Sequence, residues 1–349
     1  MFDHIWKHCE LIGTKPTTFQ LIKTFILKNH VSSFSEITVI SKMLREEFEK
    51  NCPMTTLFLV ESHESDNTVK FVLKTSDGNY IESVLIHHDD GRNTVCVSSQ
   101  VFCALGCKFC ATGANQYKRS LTLDEIVEQV LFASRYLKNQ GCRVSNVVFM
   151  GMGEPFLNYD AVIGAIEIFN DPEYFNIGAR HITISTSGIV PRIIDFASYD
   201  LQVRLAISLH APNDELRSSL MPINKRYPIS ELMKACDFFT AKRNKKITYE
   251  YVLIDNVNDS ISCAEQLVKL LKFRLAHVNL LVFNPHEFSS FQRPSEERVN
   301  AFKQVIADAG IEVSVRRSMG DDISGACGQL SGKVIRARED EVEQAVSKA

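Results

Sequence analysis

Cys103, Cys107 and Cys110 fall in one short loop, CALGCKFCATG, spaced C-x3-C-x2-C, and no other feature constrains this 349-residue chain as much. Three cysteinates can hold three corners of a cubane iron–sulfur cluster and leave the fourth iron open, whereas a structural metal site closes all four positions. An open iron is a place for chemistry. Cys96 makes a fourth cysteine within fifteen residues, a set also compatible with a small structural zinc site. Zinc fingers and ribbons, however, draw two C-x2-C-like pairs from separated turns, and here only Cys107 and Cys110 form such a pair.

A catalytic cluster loop needs a scaffold behind it, and the pattern from residue 93 onward supplies one. Strands are predicted at 93–99, 144–150, 181–186, 202–208, 246–253 and 277–283, with helices near 123–139, 158–170, 189–198, 229–243, 259–273 and 295–309. The helix at 123 opens with a capping box, Thr122-Leu123-Asp124-Glu125, and carries Ile126, Val130, Ala133 and Leu137 on one face. Alternating elements of this kind make a parallel α/β sheet. Six βα units are too few for an eight-stranded barrel, so the expectation is a partial (βα)6 barrel with its chemistry at the carboxyl ends of the strands. The cysteine loop follows the first strand.

Residues 1–55 show helical spacing (Phe19, Ile22, Phe25 and Ile26, then Ile40, Met43 and Leu44) and predict a small N-terminal helical domain. Residues 56–92 predict a short β-strand extension. There Tyr80, Glu82, Val84 and Ile86 share one face, and the apolar neighbours are expected to raise the proton affinity of Glu82. The barrel is expected over 93–335, with 336–349 as a tail.

Composition narrows the setting. A 45% hydrophobic content allows a sizeable core, and the net charge of −3 gives no global argument for nucleic acid. Basic residues are local: Lys108, Lys118 and Arg119 beside the cysteine loop, Arg316 and Arg317 before Cys327, and Lys333, Arg336 and Arg338 after it, all readable as ordinary solvated charge. Ten cysteines without a secretory signature or membrane-length apolar run predict a cytoplasmic protein with reduced thiols and no membrane association. Cys9, Cys52, Cys142, Cys236 and Cys263 read as small buried hydrophobes.

Other residues carry chemistry by position. After the second barrel strand comes FMGMGEP, where glycines permit close backbone approach to a ligand and Glu154 can accept hydrogen bonds from an ammonium group. Phe156 stands where a dinucleotide fingerprint needs its third glycine, which excludes that reading. Ser185, Ser208, His210 and Asn284 sit at the ends of successive strands, as ligand contacts or as turn and cap residues. His210 has no second ligand at metal spacing and reads as a hydrogen-bonding or packed group. Cys327, in GDDISGACGQL, reads on its own as an inert thiol.

The C-x3-C-x2-C loop resembles that of the radical S-adenosylmethionine (SAM) superfamily. The ordered set VCVSSQ, GMGEPFLN, SLHAPND, MPIN, VNLLVFNP and GACGQL, over about residues 78–333, resembles the RlmN/Cfr-type RNA adenine methyltransferases. The resemblance implies that Cys103, Cys107 and Cys110 bind a 4Fe-4S cluster, and that Gly153, Glu154, Ser185, Ser208, Leu209, His210 and Asn284 contact SAM. It implies further that Cys327 accepts a methyl group from the first of two SAM molecules, that Cys96 resolves the covalent RNA adduct through a disulfide with Cys327, and that Glu82 accepts a proton. The implied partners are rRNA, tRNA and an electron donor such as flavodoxin or ferredoxin, with the chain acting as a monomer. GDDISGACGQL and SLHAPNDELR look more like the carbon 2 type than the carbon 8, antibiotic-resistance type. From another class, the alternative is a zinc-stabilised RNA-binding module without catalysis. Two departures stand out: Phe102 replaces the family's usual glycine before the first cluster cysteine, and Pro16-Thr17-Thr18-Phe19 lacks the usual arginine after it.

Overall fold

The computed structural model of the protein describes residues 1–316 and 319–330. Arg317, Lys333, Arg336, Arg338, the barrel segment expected over 331–335 and the tail at 336–349 lie outside the described residues. The chain opens with helices α1 (Phe2–Leu11), α2 (Pro16–Asn29) and α3 (Lys42–Asn51). Pro16 opens α2, where its missing N–H costs nothing, and Ser41 caps α3 by accepting from Leu44 N–H at 3.3 Å. Strands β1 (Leu57–Ser65), β2 (Thr68–Thr75), β3 (Tyr80–His87) and β4 (Asn93–Cys96) follow as an antiparallel set.

A two-residue pair, β5 (Gln100–Val101) with β6 (Arg119–Ser120), then closes the base of the cysteine loop. Arg119 pins that closure through Asp77 at 2.7 Å and Glu125 at 2.7 Å. Glu125 belongs to α4 (Leu123–Lys138), whose capping box forms as the sequence predicts. From the last turns of α4, Arg135 Nε donates to the carbonyl of His30 at 3.3 Å and Lys138 Nζ to that of Asn29 at 2.8 Å, tying the end of α2 to the barrel. The buried residues of the N-terminal helices join the same hydrophobic cluster as the barrel.

The remainder runs β7 (Asn146–Phe149), α5 (Tyr159–Asn170), β8 (Ile182–Thr186), α6 (Val190–Phe196), β9 (Arg204–Ser208), α7 (Asp214–Leu220), α8 (Ile229–Arg243), β10 (Ile247–Leu253), α9 (Ile261–Leu271), β11 (Ala276–Val282), α10 (Glu296–Asp308) and β12 (Glu312–Arg316). In the ten-stranded sheet every ladder from β4 through β7 to β12 is parallel, and the order β1-β2-β3-β4-β7-β8-β9-β10-β11-β12 has two free ends, an open barrel extended by β1–β3. The six predicted strands are present, and β12 adds a seventh parallel one. Its sequence, EVSVR, is half-buried and polar, so its apolar signal is weak. Strand β4 stops at Cys96 because Val97–Gln100 leave the ladder to bond the turn after β7.

Paired residues in a ladder project to the same face. Ser208 pairs with Glu250 and Leu281 with Arg316, so polar side chains line the concave face near the strand ends. Among the described residues no helix is long and apolar enough to cross a membrane.

Candidate active site

The cysteine loop is held on three sides. Lys108 N–H donates to the carbonyl of Leu220 at 3.0 Å, Ala111 N–H to that of Gly328 at 2.8 Å, and the His286 ring nitrogen lies 3.2 Å from the Phe109 carbonyl. Phe102, just ahead of Cys103, has φ +60°, a left-handed conformation that favours glycine. A left-handed L-residue costs roughly 1–2 kcal/mol, which burial of the Phe102 ring offsets.

The glycines of FMGMGEP serve a further contact beside the one the sequence suggests. A Cβ on Gly151 would stand 2.7 Å from the Val97 carbonyl oxygen, and one on Gly153, at φ +100°, would stand 2.5 Å from Gln100 Cβ. The turn therefore packs backbone to backbone on VSSQ rather than only against a ligand. Ser98 Oγ accepts from Met152 N–H at 2.8 Å, Ser99 N–H donates to the Met152 carbonyl at 2.8 Å, and Glu154 N–H donates to Gln100 Oε1 at 2.9 Å.

The turn aims Glu154 into a cavity of about 190 Å³ at the carboxyl ends of the strands. Its Oε2 accepts from Ser187 N–H at 2.8 Å and Ser187 Oγ–H at 2.7 Å, and its Oε1 from Phe156 N–H at 3.0 Å. Burial raises its proton affinity, and these donors work against that rise. The same cavity is lined by Cys103, Cys107 and Cys110, by Gly153, Ser185, Ser208, His210 and Asn284, and by Cys96 and Cys327. His210 Nδ1 accepts from Val252 N–H at 3.0 Å, which leaves the proton on Nε2, and burial, reinforced by Arg217, pushes its pKa down to about 3. The imidazole is a neutral donor group rather than a cation.

The donor set suits a cluster. Three half-buried thiols share one wall, and burial pushes Cys103 up to about 12 and Cys107 upward as well, so their ionisation calls for a cationic partner. Space is tight behind them: a Cβ on Gly113 would lie 3.0 Å from the Cys107 nitrogen.

Opposite stands a second group of residues. Asn284 Nδ2 donates to the Cys327 carbonyl at 3.3 Å, and Arg293 Nη2 donates to Asn284 Oδ1 at 2.8 Å. Arg316 faces this pair of thiols. Cys327 most strongly favours its charged form, burial opposes it, and Glu250 and Cys96 add support. Arg316 is therefore a cavity residue and not the solvated charge read from sequence. Burial pushes Cys96 up to about 12, with Cys327 adding to the rise. Both cysteines are free thiols.

Two expected site residues stand apart. Leu209 is fully buried off the cavity lining and contributes backbone only, its N–H donating to the Glu250 carbonyl at 3.0 Å. Glu82 does not line the cavity, although it shares a strand face with Ile86, which does. It is 1% exposed, with Lys70 Nζ 3.5 Å away. The buried ammonium beside it corrects the expectation of purely apolar surroundings. Ser187 and Glu250 line the cavity without having been singled out from sequence. Alternation along TYEYVLID, with Glu250 on the face of Thr248 and Val252, was the signal for the second; Ser185 Oγ donates to it at 2.8 Å.

Comparison with known proteins gives a consistent result. Residues 97–273 match the model of the radical SAM superfamily. The chain is 46% identical over 329 residues to a protein of Thermoanaerobacter sp. (strain X514) named probable dual-specificity RNA methyltransferase RlmN, covering 94% of this chain and 95% of that one. A Staphylococcus carnosus protein of the same name is 45% identical over 320 residues, 91% of this chain and 86% of its own. The crystal structure of a radical SAM methyltransferase from Sphaerobacter thermophilus superposes with a TM-score of 0.90 at 45% identity, over 95% of this chain and 97% of that one.

Proposed function

Because the chain belongs to the RlmN family of radical SAM RNA methyltransferases, we propose that it methylates carbon 2 of an adenosine in 23S rRNA, at the peptidyl-transferase centre, and of the adenosine 3′ of the anticodon in tRNA. The observation that carries this reading is the meeting of three loop cysteines with two further cysteines, Cys96 and Cys327, in one cavity. Carbon 2 of adenine is an electron-poor amidine carbon with no electron pair to attack a SAM methyl, so the methyl must first rest on the protein.

In this reading Cys103, Cys107 and Cys110 hold a 4Fe-4S cluster. When bound, the cluster supplies the electron that cleaves SAM to a 5′-deoxyadenosyl radical. Glu154 receives the SAM ammonium, with Gly153, Ser185, Ser208, His210 and Asn284 around the rest and Leu209 acting through its backbone. Cys327 takes the methyl from the first of two SAM molecules, with Arg316 lining the same cavity. Glu82 takes the proton lost from carbon 2. Once the methyl carbon has been joined to carbon 2 at the expense of the second SAM, which is the oxidant, Cys96 attacks the Cys327 sulfur, the sulfur–carbon bond breaks and a Cys96–Cys327 disulfide forms, which an external reductant reopens.

The adenine leaves its stack to reach the cavity, which favours loops and already unstacked bases. The helices within 1–55 contact the RNA, a carrier such as flavodoxin or ferredoxin delivers the electron, and the protein works as a monomer. The test is modified-nucleoside analysis of 23S rRNA and tRNA from cells with and without the gene. Protein-dependent 2-methyladenosine in both is expected; 8-methyladenosine as the main product, or no change in either RNA, refutes the proposal.

A further inference from the structure

Arg217 has no part in the chemistry assigned above, yet it is 0% exposed, and its helix α7 ends against the cysteine loop, where the Leu220 carbonyl accepts from Lys108 N–H. A buried cation is costly unless an anion accompanies it. Its guanidinium donates to four acceptors: Leu209 O at 3.1 Å, Asn224 Oδ1 at 2.9 Å, Ser187 O at 2.6 Å and Ser208 O at 3.1 Å. All four are neutral, and among the described residues Arg217 forms no salt bridge. Asp214, one turn back on α7, accepts instead from Asn224 Nδ2 at 2.9 Å and Ile229 N–H at 2.8 Å.

The anion is missing from the protein's own carboxylates but not from its cofactor site. Two of its acceptors belong to Ser187 and Ser208, which line the same cavity as Cys107. Packing agrees. Cys107 lies against the cluster of Leu220, Met221 and Phe283, Lys108 N–H bonds the Leu220 carbonyl at 3.0 Å, and Met221 N–H bonds the Arg217 carbonyl at 2.7 Å. The arginine thus joins three things: the segment after β8 through Ser187, the end of β9 through Ser208, and the cysteine loop above.

We propose that Arg217 is the fixed counter-charge of the iron–sulfur cluster, a positioning residue whose guanidinium, held by neutral acceptors under Cys107, favours the reduced cluster. This rests on the reading that Cys103, Cys107 and Cys110 hold that cluster. Three thiolates leave the assembly net negative, and reduction adds one electron from a low-potential one-electron carrier, taking the core from 2+ to 1+ with no proton moved. A fixed positive charge in a dry site stabilises the more negative form.

The test is anaerobic redox titration of the reconstituted holoprotein, followed by the electron paramagnetic resonance signal of the reduced cluster, for wild type, Arg217→Lys and Arg217→Gln. In Arg217→Gln the reduced-to-oxidised ratio at a fixed ambient potential is expected to fall about ten-fold, equivalent to about 59 mV for one electron. Arg217→Lys, which keeps the charge, should stay within about two-fold of wild type. If Arg217→Gln loads no iron while Arg217→Lys loads and titrates as wild type, the charge requirement stands. A wild-type potential in Arg217→Gln, equal shifts in both variants, or loss of the cluster in both makes the arginine a structural clamp and overturns the proposal. Absence of any cluster signal from wild type would instead refute the reading it rests on.

Discussion

Protonation of His210 should cost the fold about 2 kcal/mol at pH 5, and the cost can be worked from its surroundings. The imidazole is 5% exposed, Nδ1 is spent on the Val252 N–H at 3.0 Å, and Phe109 stands edge-on at 4.7 Å between ring centroids. A proton on Nδ1 would oppose an N–H to an N–H, and burial first, then Arg217, disfavours the cation, so the pKa falls from 6.5 to about 3. The folded state therefore refuses a proton that the unfolded chain accepts. The stability contributed by neutral His210 is complete above pH 6.5 and is lost progressively as pH falls toward 3. At pH 5 the deficit is about 1.5 units at about 1.4 kcal/mol each, hence about 2 kcal/mol. The assay is urea unfolding of the metal-free protein, followed by circular dichroism at about pH 7.5 and about pH 5, for wild type and His210→Gln, whose amide oxygen can still accept from Val252. His30, His88 and His277, also depressed by burial, are common to both proteins and cancel. Wild type should lose about 2 kcal/mol more than the variant over this interval; parallel profiles would show that the folded site admits the imidazolium and would refute the reasoning.

Gly153→Ala should destabilise by about 2–5 kcal/mol and weaken SAM binding, because its Cβ would sit 2.5 Å from Gln100 Cβ at φ +100°; an unchanged urea midpoint would contradict it. Replacing any one of Cys103, Cys107 and Cys110 by Ala should abolish iron loading, whereas Cys96→Ala should load normally; iron analysis after anaerobic reconstitution decides this, and normal content in all three single variants would sink the ligand assignment. Glu82→Gln should still show methylated Cys327 by peptide mass spectrometry yet turn over RNA at least ~10²-fold more slowly, as loss of a general base does; wild-type turnover would remove Glu82 from the mechanism.

What could be read in advance follows the range over which each signal acts. The six strands and their helices were legible because alternation and 3.6-residue spacing are local, and because α4 announces its start with a capping box whose partners are three residues apart. The cysteine triplet was legible because its three donors sit in one loop. Helix α7 was missed: seven residues following a strand-end motif give too short a window for a period to show. Arg316 was set among solvated charges because a sequence shows a residue's charge and not the face it occupies; its place beside Cys327 and Glu250 depends on β12 joining the sheet next to β11.

The same limit explains Arg217 and the glycines of the FMGMGEP turn. A glycine is visible as a freedom, but whether that freedom serves a ligand or a neighbouring strand depends on what lies across the gap, here Val97 and Gln100, whose contact requires β4 and β7 to be adjacent. Likewise, nothing in DELR singles out its arginine until α7 folds against the cysteine loop and the arginine's donors close on carbonyls from Ser187, Ser208 and Leu209. Positions of this kind belong to no single element. The strand ends align them only after parallel pairing is complete, so the wall of loop cysteines, Arg217 behind it and the Cys96 and Cys327 thiols across the cavity are properties of the assembled sheet.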